Sequence, residues 1–173
     1  QTGAVTAFNG QKLPLRNIIA SWAPEKKERI LLVAHWDTRP FADKDTDRKN
    51  EPILGANDGG SGVGILLEIA RGLKEEAPAL GVDIFLTDVE DFGQPSDAME
   101  TDANSLLSWC LGSQYWAKNP HVPDYTARFG ILPVHVTTRE IVIATAEPYV
   151  REWVEELQQI LRKQIRRVMA NPE

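Results

Sequence analysis

Two short, almost unbroken apolar runs constrain this chain more than any other feature. Arg29 to Ala34 reads RILLVA and Val82 to Thr87 reads VDIFLT, the pattern of central strands covered on both faces. Between them, Ser61 to Glu76 sets Val63, Leu66, Leu67, Ile69, Ala70 and Leu73 on one helical stripe that Pro78 and Gly81 close. Strand, helix, strand is the unit of a parallel crossover, which is right-handed in nearly every case. The expectation is therefore an α/β fold, and 173 residues suffice for one domain with its own core.

Around that unit the chain is punctuated clearly. Val5 to Phe8, Asn9-Gly10 and the apolar-rich stretch to Trp22 predict a β-hairpin, because Asn-Gly supplies the positive φ angles of a tight primed turn. Trp36 to Asn57 is polar, rich in Asp and Lys, and carries Pro40 and Pro52, which predicts a long functional loop. A second such loop is expected over Gln94 to Asn104, followed by a helix from about Ser105 to Lys118 that Asn119-Pro120 stops. Val134 to Thr137 and Ile141 to Thr145 are strand candidates. At the end, Val150, Trp153, Val154, Leu157, Leu161, Ile165 and Val168 predict one long amphipathic helix within residues 147–169. Its last turns would hold Arg162, Lys163, Arg166 and Arg167, where cations complement the dipole.

Several function classes drop out. Cys110 is the single cysteine, so a disulfide scaffold and a multi-cysteine zinc module are excluded. Nineteen Lys and Arg against 25 Asp and Glu leave a net charge of −6, which argues against binding nucleic acid through bulk charge. No apolar run reaches the ~20 residues that span a bilayer, and no basic-then-apolar leader precedes Gln1. Gly60-Ser61-Gly62-Val63-Gly64 lacks the Lys-Ser/Thr of a phosphate loop and the glycine spacing of a dinucleotide site.

In an open α/β sheet, ligands bind outside the carboxyl ends of the strands. His35 and Asp37 follow the first apolar strand, Asp58 precedes the helix, and Asp88, Glu90 and Asp91 follow the second strand. Each alone has a plain structural reading: Asp58 is a natural N-cap, paired acids after a strand are solvated loop residues, and His121, between Pro120 and Val122, is a surface loop histidine. Together, five carboxylates and an imidazole at one edge would repel unless a cation joined them, and oxygen with imidazole ligands suits zinc.

Four strings in order, LLVAHWDTRPFADKD, PILGANDGGSGVGILLEIARGL, GVDIFLTDVEDFG and SWCLGSQYWAKNPH, resemble the zinc-dependent glutaminyl-peptide cyclotransferases of bacterial type, relatives of the zinc aminopeptidases. The resemblance runs from about Thr6 to Leu132. It implies a three-layer α/β sandwich with a mixed, mostly parallel sheet, one bound Zn2+, and a peptide or protein with N-terminal glutamine as substrate. It assigns Asp58 and Asp91 as zinc ligands and Glu90 as the general acid/base. His35 and Asp37 match the motif that supports the metal, with Asp88 nearby. In the two-metal aminopeptidases that histidine is itself a ligand. A periplasmic or secreted location is implied by the resemblance alone.

The chemistry accounts for those residue types. Cyclisation sends the glutamine α-amine onto its own γ-carboxamide with loss of ammonia; zinc would polarise the carbonyl while a carboxylate moves the proton. Three departures accompany the resemblance. The family has helical sequence ahead of the hairpin; it has a leucine and an aspartate where Pro133 and Val134 stand; and its histidine zinc ligand lies in a later segment without a counterpart before Glu173. A catalytic zinc usually takes three protein ligands. His135 is a weak candidate for the third, because strand alternation turns it away from the direction of Val134. Residues 133–173 therefore form a divergent strand and amphipathic segment. The alternatives to a cyclotransferase are a zinc aminopeptidase and a catalytically silent, truncated or redesigned scaffold.

Overall fold

The fold is described from a computed structural model, in which residues 1–94, 107–123, 125, 129–136, 139–145 and 152–169 are described. The chain forms two compact units, one made of Gln1–Ile18, His35–Ser61 and Leu86–Asp124, the other of Ile19–Ala34, Gly62–Phe85 and Tyr125–Glu173.

In the first unit, β1 (Thr2–Thr6) pairs antiparallel with β2 (Lys12–Arg16), Val5 opposite Leu13. Gly10 takes a φ of 82°, the conformation that Asn-Gly was expected to supply. The hairpin ends at Arg16 rather than Trp22. A short helix, α2 (Leu111–Lys118), packs on β1 so closely that a Cβ at Gly3 would strike the Tyr115 ring at 2.6 Å. Between His35 and Gly60 there is no strand or helix; the excursion is folded by local bonds, among them Ala42 N to Glu51 O at 2.8 Å and Glu51 N to Arg48 O at 2.9 Å. The helix expected from Ser105 begins at Leu111. Ser105 itself, and the loop expected beyond Gln94, lie outside the described residues.

The second unit holds most of a six-stranded mixed sheet. Its strands are β3 (Ile18–Trp22), β4 (Arg29–His35), β5 (Gly81–Thr87), β6 (Phe129–Val136), β7 (Glu140–Thr145) and β8 (Gln164–Met169), in the order β3-β5-β4-β6-β7-β8. β4 pairs parallel with β6, β6 antiparallel with β7, and β7 parallel with β8. The apolar runs behave as expected: Ile30, Leu32 and Val82 are wholly buried. Between β4 and β5, α1 (Gly60–Glu75) buries Leu66, Ile69 and Leu73. Leu67, expected on the same stripe, is 61% exposed; its position, 100° from Leu66, turns it outward.

The C-terminal expectation is corrected. The helix α3 (Glu152–Leu161) is short, and Arg162 takes a left-handed φ of 49°, a helix-ending conformation. Gln164–Met169 then runs as β8 beside β7, Ile165 opposite Ile141. The apolar positions Ile165 and Val168 extend the helical period by coincidence, and the basic cluster is divided: Arg162 and Lys163 follow the C-terminus of α3, whereas Arg166 and Arg167 stand on β8. Arg166 donates from Nε to Glu140 Oε1 at 3.1 Å. Val150 lies outside the described residues. Among the described residues no helix is long and apolar enough to cross a membrane.

An ion pair ties β4 to β5 inside the sheet. Arg29 donates from Nε to Asp83 Oδ2 at 2.6 Å and from Nη2 to Oδ1 at 2.7 Å, while the Tyr125 hydroxyl donates to Oδ2 at 2.6 Å. Burial alone would raise the Asp83 pKa, but the guanidinium and two hydroxyls outweigh it and hold the carboxyl below 3.8. Bidentate geometry and full hydrogen bonding are what make such a buried pair tolerable. Arg29→Met is expected to cost about 3–5 kcal/mol in denaturant unfolding, because a buried carboxylate loses its partner. Since the native pKa is depressed, Asp83 stabilises fully above its unfolded value, and that stability is lost as pH falls through the lower native one. The acid limb of a pH–stability curve should therefore flatten in Arg29→Met.

Candidate active site

All the residues singled out after β4, before α1 and after β5 fall in the first unit. His35 closes β4, and both of its ring nitrogens are engaged. Nε2 donates to Asp58 Oδ1 at 3.0 Å and Nδ1 to the Asp37 carbonyl oxygen at 3.1 Å. The Asp37 carboxylate at 3.7 Å and the Glu90 carboxylate at 3.8 Å face Nδ1 as well. Asp37 foremost, with Glu90 and Asp58, lifts the imidazole to about 9 against the opposing effect of burial, so His35 is a cation at neutral pH.

Asp37 joins the two loops. Its Oδ1 accepts the Glu90 amide and its Oδ2 the Asp91 amide, both at 3.1 Å. Burial opposes the charge, but His35 and these two amides hold Asp37 below its usual value. Gly59 is required beside this pair: its φ is +84°, and a Cβ there would lie 2.7 Å from the Asp37 carbonyl oxygen and 3.2 Å from the His35 ring.

The two acids that Asp37 anchors have different surroundings. Glu90 is pushed above its usual range first by burial, with Asp91 and Asp37 adding to it and the Cys110 thiol and His35 opposing. Its Oε1 accepts from Cys110 Sγ at 3.3 Å. Asp91 is buried and also raised by burial, with Arg39 the chief opposing charge. Arg39 is the residue that sequence reasoning missed. Its amide donates to Asp91 Oδ2 at 2.9 Å, Nη2 and Nε reach Oδ1 at 3.1 and 3.3 Å, and Nη1 reaches Asp43 Oδ1 at 2.9 Å. The guanidinium also lies 5.4 Å from the centre of the Trp109 ring. The only signal in the sequence is its place two residues after Asp37, inside a polar stretch.

Asp88 is an anchor for the backbone. Its Oδ2 accepts from the Arg16 amide at 2.6 Å and its Oδ1 from the Val89 amide at 3.0 Å. Asn17, buried, accepts the Asp88 amide and donates to the Gly112 carbonyl. His121 accepts the Trp116 indole N–H at 3.0 Å and is half-buried. His135 stands on β6 of the second unit, paired with Val142 beside a register shift; its side chain lies outside the described positions.

Zinc asks for three protein ligands. Asp58, with a side chain 66% exposed, has Oδ2 open, and Asp91 keeps one acceptor position beyond its three bonds to Arg39. That makes two. Among the described residues no three of His, Cys, Asp and Glu converge on one ion position, so these side chains alone do not compose a zinc site.

The acids and the imidazole gather where β4 and β5 end, the place where an α/β protein binds its ligand. The chain matches the profile of peptidase family M28 over residues 17–172 and belongs to that family. It is 53% identical to a Zn-dependent exopeptidase from Parabacteroides distasonis, with a TM-score of 0.70, over 76% of this chain and 45% of that one. It is 45% identical to Tannerella forsythia glutaminyl cyclase over 100% of this chain and 62% of that one, at 0.74. It is 37% identical to Bacteroides thetaiotaomicron glutaminyl cyclase bound to N-acetylhistamine, over 99% and 70%, at 0.75. The chain thus spans about half to two thirds of the length of the first two structures.

Replacing Asp37 with Ala is expected to free two amides at once. Hydrogen exchange at Glu90 and Asp91 should rise well above that at β5, with a stability loss of about 1–3 kcal/mol. Unchanged protection at both amides would show that other contacts hold this turn.

Proposed function

We propose that the chain is a glutaminyl-peptide cyclotransferase in which Glu90 carries the proton. The observation that supports this most is the setting of Glu90. It is a half-buried carboxyl with raised pKa, held at its backbone by Asp37, facing the His35 cation and adjoining Asp91. A general acid/base needs a pKa moved toward the working pH and a fixed position; burial moves Glu90 in that direction, and the bond from its amide to Asp37 fixes its backbone.

In the reaction, the α-amine of an N-terminal glutamine attacks its γ-carboxamide carbon, the C–N bond to the amide nitrogen breaks, and ammonia leaves. Glu90 takes the proton that the attacking amine sheds and returns it to the departing nitrogen. His35, as an imidazolium, offsets the charges of Asp37, Asp58 and Glu90, which would otherwise drive one another to protonate. Because the ring closure is intramolecular, the site has mainly to orient the chain and move one proton.

Asp58 and Asp91 are the carboxylates that would serve a metal, and the third ligand has to come from outside the described side chains. A two-metal aminopeptidase would need His35 as an added ligand beside Asp58, which its Nε2 faces at 3.0 Å. The silent-scaffold reading draws on the missing third ligand.

Ammonia release from a glutaminyl dipeptide should fall by at least about a hundredfold in Glu90→Gln, within the range a general base supplies, while the melting temperature stays near that of the wild type. Equal rates in the two proteins would exclude Glu90 from the chemistry. Calorimetric titration of chelator-treated protein is expected to find one zinc ion, lost in Asp58→Ala; no binding in either would favour the silent scaffold.

A further inference from the structure

Two residues with side chains sit in the left-handed region beside Glu90: Val89 at φ 50° and Cys110 at φ 54°. For a β-branched residue such as Val89 this is an outlier, and it persists only where the surroundings over-determine it. Here they do. The Cys110 amide donates to the Glu90 carbonyl at 3.0 Å, the Leu111 amide to the Val89 carbonyl at 2.9 Å, and the Val89 amide to Asp88 Oδ1 at 3.0 Å. Gly112 must be glycine, since a Cβ would lie 2.0 Å from the Asp88 carbonyl oxygen. The turn before Glu90 and the start of α2 are thereby latched against each other, within one unit.

The latch decides where the Cys110 side chain goes. Sγ lies 3.3 Å from Glu90 Oε1, while Glu90 Oε2 faces His35 Nδ1 at 3.8 Å. We propose that Cys110 is a positioning residue for this site: its thiol donates to Glu90 Oε1, fixes the carboxyl plane, and leaves Oε2 as the oxygen that carries the proton. The proposal rests on the reading of Glu90 given above. A glutamate side chain has a broad terminal torsion with two equivalent oxygens, so without a donor on one of them either could turn toward the substrate. Burial together with Glu90 raises the thiol to about 12, so it stays protonated at neutral pH and able to donate. Displacing a reacting group by as little as 1 Å can cost about a hundredfold in rate, which is why a weak donor in a fixed place matters.

The test has two arms. In the first, Cys110→Ala and Cys110→Ser are compared with wild type for ammonia release from a glutaminyl dipeptide. The alanine variant is expected to lose about tenfold in kcat with KM unchanged, the effect of one hydrogen bond, and serine, which keeps a donor, to recover most of it. Wild-type kcat in Cys110→Ala, or equal losses in both variants, would overturn the positioning role. The second arm needs no turnover: iodoacetamide labelling of Cys110 near neutral to mildly alkaline pH in wild type and Glu90→Gln. Removing the carboxylate charge should speed labelling by about tenfold or more, and equal rates would overturn the contact itself. Faster labelling in Glu90→Gln with no ammonia released by any of the proteins would mean that the cyclotransferase reading has failed. The thiol contact would then stand as packing only.

Discussion

The site depends on one carboxylate that accepts two consecutive backbone amides. Asp37 reaches from the loop after β4 and takes the N–H groups of Glu90 and Asp91, the adjacent pair of acids in the loop after β5. Neither amide has a ladder partner once the strand has ended, so an acceptor there answers an unpaired donor and fixes the backbone of both acids together. The His35 ring, the Gly59 turn and the placement of Glu90 follow from that single junction, because each is packed or bonded to Asp37.

Charge is the second constraint. Asp37, Asp58, Glu90 and Asp91 lie along one set of loops, and burial raises the cost of ionising Glu90 and Asp91. The first unit answers with two cations of its own. His35 is held protonated against Asp37, Glu90 and Asp58, and Arg39 grips both oxygens of Asp91 while stacking near Trp109. The result is an unequal pair: Asp91 is bound by an arginine, whereas Glu90 is left with a thiol and a more distant imidazolium. Two neighbouring carboxyls in different environments is the usual means by which one becomes a proton carrier and the other a fixed charge.

How far the site could be read in advance varies by residue. His35, Asp37, Asp58, Glu90 and Asp91 stand next to strand ends and a helix start, where chemistry gathers in α/β proteins, and they were legible for that reason. Arg39 was not, because an arginine in a polar loop looks like any solvated charge until its partner is known. Cys110 was counted only for what a lone thiol excludes. Its contact with Glu90 arises from left-handed geometry at two non-glycine positions, which no propensity signals. The C-terminal segment failed for a different reason. Ile165 and Val168 fit both a helical stripe and a strand, and what decided between them was the free edge of β7, which can be known only once the sheet exists.

The sequence by itself determined the mixed α/β class, the succession of β4, α1 and β5 and the hairpin at Asn9-Gly10, because each is written in local periodicity and turn chemistry. It also placed the acids at the ends of β4 and β5, since position relative to a strand end is a property of the chain. Tertiary structure alone decided which of those acids is bound by arginine, which faces a thiol and an imidazolium, and which ties two loops together. Those roles depend on partners more than 50 residues away in the chain, and hydrogen bonds and desolvation act through space, where sequence spacing carries no information.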